Sequence, residues 1–166
     1  MKAKTGLLVV LVTMLANLVP DRITKILAVH FLKGNEPLSF LHDTFVLWYT
    51  ENDGAFLSMG SAWPALVKTI VLLIIPIAVC LVCFAYSAFF EKDRVRGVLI
   101  TTIAAGGISN LYDRMVNDFR VIDFMNFGIG NLRTGILNVA DLSVTFGVII
   151  LVIYEIRAER RAKVKV

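Results

Sequence analysis

Four runs of apolar residues, at about 5–29, 63–90, 95–114 and 137–156, leave this chain of 166 residues little freedom in how it folds. Each is near or above the roughly 20 residues that an α-helix needs to cross about 30 Å of hydrocarbon. Within lipid the backbone must satisfy its own polar groups, so such runs are read as transmembrane helices. Composition agrees, with 57% hydrophobic residues and a mean hydropathy of +0.75, well above the apolar share of a soluble domain. The expectation is a membrane α-helical fold of four transmembrane helices in a single integral domain over 1–166. Polar residues interrupt the first and third runs, and Pro76 in the second predicts a local kink. Lys2 and Lys4 before the stretch Gly6 to Val19 imitate a secretory leader. No small-x-small cleavage site precedes Pro20, Asp21 and Arg22, so the segment reads as a retained first helix.

The formal net charge of +4 does not point to nucleic acid, because the cations gather at the chain ends and in one short connector. Lys92, Arg94 and Arg96 crowd the turn between the second and third runs, and Arg157, Arg160, Arg161, Lys163 and Lys165 follow the last. The positive-inside rule then predicts cytoplasmic termini and two outward connectors, residues 32–62 and 115–136, although Arg120 and Arg133 in the second weaken the contrast. In the first connector, Thr44-Phe-Val-Leu-Trp-Tyr-Thr50 runs into the turn-like Asn52-Asp53-Gly54, which predicts a small extracytoplasmic β-hairpin or cradle. Trp48, Tyr49, Phe56 and Trp63 suit the headgroup zone. Cys80 and Cys83 lie inside an apolar run, where core packing outweighs a redox reading.

Once this topology is drawn, the polar residues of the spans fall in one layer. Asp21 stands about 16 residues into the first helix, roughly 24 Å along it, with Lys25 one turn further. Asn110, Asp113 and Arg114 come at the outer end of the third helix, Asn138 and Asp141 open the fourth, and Asp123 sits in the connector before it. An ionisable residue within a span costs about 2.5 to 3.5 kcal/mol at mid-bilayer, so such a cluster calls for a shared explanation. For Asp21, Lys25 and Asp113 the plain reading is ion pairing that anchors helix ends, Asp21 with Lys25 at i,i+4 and Asp113 with Arg114 or a neighbouring helix. Asp141 has no cation at helical spacing, and Asp123 sits in Val121-Ile122-Asp123-Phe124 with apolar neighbours on both sides. Two such carboxylates repel when both are ionised, so one holds a proton while the other acts as a base.

Other chemistries find less support. There is no His-Glu-x-x-His, His30 and His42 are isolated, and neither a nucleophile elbow nor Ser-x-x-Lys accompanies Ser58 or Ser109. A transporter or proton channel is the main rival, disfavoured by the lack of repeats or paired broken helices, and a scaffold is the third reading.

The ordered motifs Asp21-Arg-Ile-Thr-Lys25, Asn52-Asp-Gly54-Ala55-Phe56, Gly106-Gly107-Ile-Ser-Asn110-Leu-Tyr-Asp113-Arg114, Val121-Ile-Asp123-Phe124 and Asn138-Val-Ala140-Asp141 closely resemble those of lipoprotein signal peptidase, or signal peptidase II. The resemblance spans nearly the whole chain. It implies an intramembrane aspartic endopeptidase of the bacterial cytoplasmic membrane that cuts prolipoproteins before a diacylglyceryl-modified cysteine. Asp123 and Asp141 match its catalytic pair; Asn52, Gly54, Asn110, Arg114, Asn138 and Ala140 match positions that line or support its substrate site; Asp21 and Lys25 match its first-helix motif. The implied partners are lipid-modified signal peptides and membrane lipid, with no metal or other cofactor, a monomeric state and an active site near the outer face. The chain departs from the family at Ser109, commonly Gly, and at Leu137, often aromatic.

Overall fold

In the computed structural model, residues 6–55 and 59–163 are described. Lys2, Lys4, residue 5, Phe56, Ser58 and Lys165, which entered the sequence reading, lie outside them. Four long helices carry the fold: α1 (Leu7–Phe31), α2 (Ala65–Phe90), α3 (Arg94–Val116) and α4 (Val139–Lys163). Of these, α1, α2 and α4 are long and apolar enough to cross a membrane. Helix α3, with 23 residues, is not among the three, because Thr101, Thr102, Ser109, Asn110, Asp113 and Arg114 dilute its apolar character.

Helix α3 is instead the centre of the molecule and packs against the other three. Its buried positions are mostly small, including Gly97, Thr101, Ala104, Ala105, Gly106 and Ser109, which lets neighbouring backbones approach closely. A Cβ on Gly106 would sit 2.6 Å from the Ala140 carbonyl oxygen, and one on Gly147 would meet Ile103 Cγ1 at 2.8 Å. Large apolar side chains of α1, α2 and α4, such as Leu8, Leu66, Val82 and Phe146, face outward, as lipid-facing surfaces require. Cys80 packs with Ala104 and Leu111, in keeping with a packing role.

Helix ends follow local chemistry. Asp93 caps α3, its carboxylate accepting from the Val95 and Arg96 amides at 3.0 and 3.3 Å. Pro76 falls at the start of the regular segment Ile75–Ala85 of α2, just after the π-helical turn Ile70–Ile74. The wider turn accommodates its missing donor. Helix α4 runs seven residues past the expected limit at 156, since Arg157 to Lys163 are strong helix formers whose heads reach polar surroundings.

The connectors fold into one antiparallel sheet, β1 (Leu38–Phe40), β2 (Phe45–Asn52), β3 (Val121–Ile129) and β4 (Leu132–Arg133), in that order. The expected hairpin or cradle is present as this sheet, with β2 paired to the strand before it rather than to a strand immediately after Asn52-Asp53-Gly54. Strand β2 also pairs, across the two connectors, with β3. The apolar face of β3 is the reason: Phe124 and Met125 bury against Ala28 and Leu32, with Phe45 and Leu47 packed beside them. Lys33 and Arg120 both pair with Glu51, at 2.9 and 3.0 Å, and tie the end of α1 to the sheet.

Candidate active site

Three local devices bring the carboxylates together. A β-bulge between Leu47 and Thr50 shifts the β2–β3 register, so that Thr50 rather than Tyr49 stands opposite Asp123. Because strand side chains alternate, the extra residue turns Asn52 onto the face of Asp123 and Glu51 away from it. A single bridge then pairs Met125 with Leu137, which delivers Asn138 beside β3. Finally, Asn138 and Asp141 form a reciprocal cap on α4: the Asp141 amide donates to Asn138 Oδ1 at 2.9 Å, and the Asn138 amide donates to Asp141 Oδ2 at 3.0 Å. This is the capping-box geometry with Asp at the third helical position.

Asn138, fully buried, links both carboxylates, since its Nδ2 donates to Asp123 Oδ1 at 2.6 Å. Asn52 Nδ2 donates to Asp123 Oδ2 at 3.3 Å, and Asn110 Nδ2 to Asp141 Oδ1 at 2.8 Å. Asn110 in turn accepts at Oδ1 from Lys25 Nζ at 2.9 Å and Asn138 Nδ2 at 3.0 Å, which fixes its amide orientation. Both acids line a cavity of 330 Å³ that also touches Asn52, Gly107, Asn110 and Arg114.

Beneath this pair lies a charge-balanced cluster. Lys25 Nζ reaches Asp21 Oδ2 at 2.9 Å and Asp113 Oδ2 at 2.7 Å, so with Asn110 all three ammonium hydrogens are engaged. Arg22 bridges the same two acids, at 3.0 Å to Asp21 and 2.6 Å to Asp113. Asp21 Oδ1 also accepts from the Ala140 amide at 2.8 Å and anchors the first turn of α4 to α1. Lys25, Asp21 and Asp113 are each at most 1% exposed, a burial tolerable only because two cations face two anions and the remaining lone pairs are hydrogen-bonded.

Asp123 and Asp141 differ. Among the described residues neither lies in an ion pair; their partners are amides. Burial, followed by the neighbouring Asp141 carboxylate, pushes the Asp123 carboxyl up from 3.8 to about 7, the direction both effects demand. Groups in these positions can share a proton at neutral pH, hold a water and exchange protons with a substrate.

Every candidate named from the sequence enters this assembly. Gly54 donates its amide to Asn52 Oδ1 at 3.0 Å and accepts from Arg114 Nη2 at 2.5 Å through its carbonyl. Arg114 therefore braces the β2 end rather than simply reaching for the interface, while its Nε is buried and without a partner among the described residues. Ser109 donates its hydroxyl to Asp21 at 2.5 Å, so this departure from the family pattern adds a donor instead of disturbing the packing. Sequence reasoning missed Arg22, because adjacency on a helix is not a pairing signal and its second acid, Asp113, lies on α3.

Comparisons with known proteins fit this geometry. The model of the family described as Signal peptidase (SPase) II matches residues 13–157. The chain is 33% identical over 147 residues to the lipoprotein signal peptidase of Borrelia turicatae (strain 91E135), covering 86% of each protein. To that of Borrelia duttonii (strain Ly) it is 35% identical over 141 residues, covering 82% of each. Two solved structures described as bacterial membrane enzymes share the fold. One superposes with a TM-score of 0.81 at 22% identity, over 95% of this chain and 93% of its own; the other has 0.76 at 21%, over 93% and 96%.

Proposed function

The chain belongs to the signal peptidase (SPase) II family of membrane proteases, which remove signal peptides from prolipoproteins, and on that premise we propose that Asp123 and Asp141 are its catalytic pair. The observation that carries this reading is the division of the carboxylate layer. Asp21 and Asp113 are neutralised by Arg22 and Lys25, whereas Asp123 and Asp141 meet only amides and open onto the cavity. A structural anchor needs its charge compensated; a proton-exchanging pair needs it left free to change.

Asp123, whose carboxyl titrates near 7, holds the shared proton. Asp141, held by the Asn110 side-chain amide and the Asn138 backbone amide, is then the carboxylate that takes a proton from water. The water oxygen attacks the scissile carbonyl carbon while Asp123 passes its proton to the carbonyl oxygen. Collapse of the tetrahedral intermediate breaks the C–N bond as Asp141 passes its proton to the leaving nitrogen and Asp123 takes one back from a hydroxyl of the intermediate. Arg114, with a spare buried donor beside the cavity, suits a substrate carbonyl. Gly107, which lines the same cavity, leaves room for the substrate chain.

The proposal extends to topology. Helix α3 is the fourth span, its polar face sheltered by α1, α2 and α4, in a single integral domain that works as a monomer in the bacterial cytoplasmic membrane. The cations at Lys92 to Arg96 and after Ile156 favour cytoplasmic termini, with the site and the sheet at the outer face. The substrate is cut before its diacylglyceryl cysteine, so membrane lipid surrounds the reacting chain. A peptide with a hydroxyl-bearing tetrahedral mimic at the scissile position should bind the purified protein in detergent, without any ion gradient. It should bind at least about a hundredfold more weakly to Asp123→Asn or Asp141→Asn. Equal binding to all three proteins would refute the pair.

A further inference from the structure

At the end of α3 opposite the carboxylate layer, the α2–α3 connector and the last turns of α4 enclose an open cavity of about 590 Å³. Its acids are already satisfied. Glu91 accepts from the Asp93 amide at 2.7 Å and the Tyr86 hydroxyl at 2.8 Å. Asp93 caps α3 and accepts from the Tyr154 hydroxyl at 2.6 Å. Arg96, which also lines the cavity, is engaged by Glu155 outside it through a two-pronged bond at 2.6 and 2.9 Å.

The cations that remain are Lys92, Arg157 and Arg161, which line the cavity and enter no ion pair among the described residues. Arg157 and Arg161 stand one helical turn apart on the face that carries Tyr154, and Ala158 and Ala162 beside them contribute only methyl groups. Two guanidinium forks and an ammonium thus border an opening that small side chains keep clear, a donor set matched to phosphate oxygens. Phe89, Phe90, Val95, Ile153 and Ile156 are exposed nearby, an apolar flank that a free anion would not use but an acyl chain would. Across residues 91–96 and 155–163, seven Lys and Arg face four Asp and Glu, a surplus that disfavours a headgroup carrying its own ammonium.

We infer that this cavity binds the phosphodiester headgroup of an anionic phospholipid, with Lys92, Arg157 and Arg161 on the phosphate and the acyl chains along α2 and α4. The full chain in nonionic detergent is titrated with phosphatidylglycerol, phosphatidylcholine or inorganic phosphate, and bound molecules are counted by native mass spectrometry. Phosphatidylglycerol should be retained in preference to phosphatidylcholine, and an equal concentration of inorganic phosphate should not displace it. The double variant Arg157→Gln/Arg161→Gln should bind it roughly tenfold more weakly, while Arg160→Gln/Lys163→Gln, which removes the same charge beside the cavity, should not. If the first pair does not fold, as judged by circular dichroism, Lys92→Gln serves the same comparison. Equal loss in the two double variants would reduce the effect to general basicity and overturn the site. So would equal retention of phosphatidylcholine, and displacement by inorganic phosphate would overturn the lipid as its ligand.

Discussion

Asp123 carries a testable electrostatic signature. Its carboxyl titrates near 7 in the fold against an ordinary 3.8, so between about pH 4 and 7 the native state keeps a proton that the unfolded chain has released. Raising the pH through this window therefore erodes stability, by at most roughly 1.4 kcal/mol per pH unit, and the loss is complete above the folded value. Unfolding midpoints at pH 5 and 8 should differ more for wild type than for Asp123→Asn, which has no such proton. Turnover should follow the same proton, with kcat/KM falling above an apparent pKa near 7 that belongs to the pair rather than to one residue. An unchanged alkaline limb up to pH 9 would remove Asp123 as the proton holder.

At the scale of elements, the site depends on how closely α3 and α4 approach. Gly106→Ala would place a methyl 2.6 Å from the Ala140 carbonyl oxygen, in backbone that cannot yield cheaply. Helix α4 must then shift, and Asp141 with it, so kcat should fall by about a hundredfold while the protein still folds. Gly107→Ala meets only Cys80 Sγ, at 3.1 Å, and lines the cavity, so its effect should fall on KM. Wild-type kcat in Gly106→Ala would dissociate the helix contact from the chemistry. The helices and the Asp21–Lys25 pair were legible in the sequence, because apolar run length and i,i+4 spacing are local properties. The partner of β2 was not. It follows from a bulge between Leu47 and Thr50 and from pairing between connectors some 70 residues apart, neither of which leaves a local pattern. Arg22 escaped for the same reason, its second acid lying on another helix.

For the whole molecule, composition and the five ordered motifs were enough to indicate a membrane protease, since both are carried by residue identity. Run length alone counted α3 as a span, whereas its polar residues leave it out of the three helices apolar enough to cross a membrane. With Cys80 and Cys83 replaced, cysteines introduced in 32–62 and 115–136 should react with an impermeant reagent on intact cells, and those near Lys92 should not. The reverse pattern would put the site on the inner face. The central claim is that one unpaired couple of carboxylates, Asp123 and Asp141, performs the cleavage. Its most direct measurement is turnover of a diacylglyceryl-modified prolipoprotein by purified wild type, Asp123→Asn, Asp141→Asn and the double variant, with Asp43→Asn as a carboxylate outside the site. The account predicts a loss of several orders of magnitude in each single variant, hardly more in the double, and none in Asp43→Asn, because the two acids act as a unit. Substantial turnover by a folded Asp123→Asn or Asp141→Asn protein would contradict it.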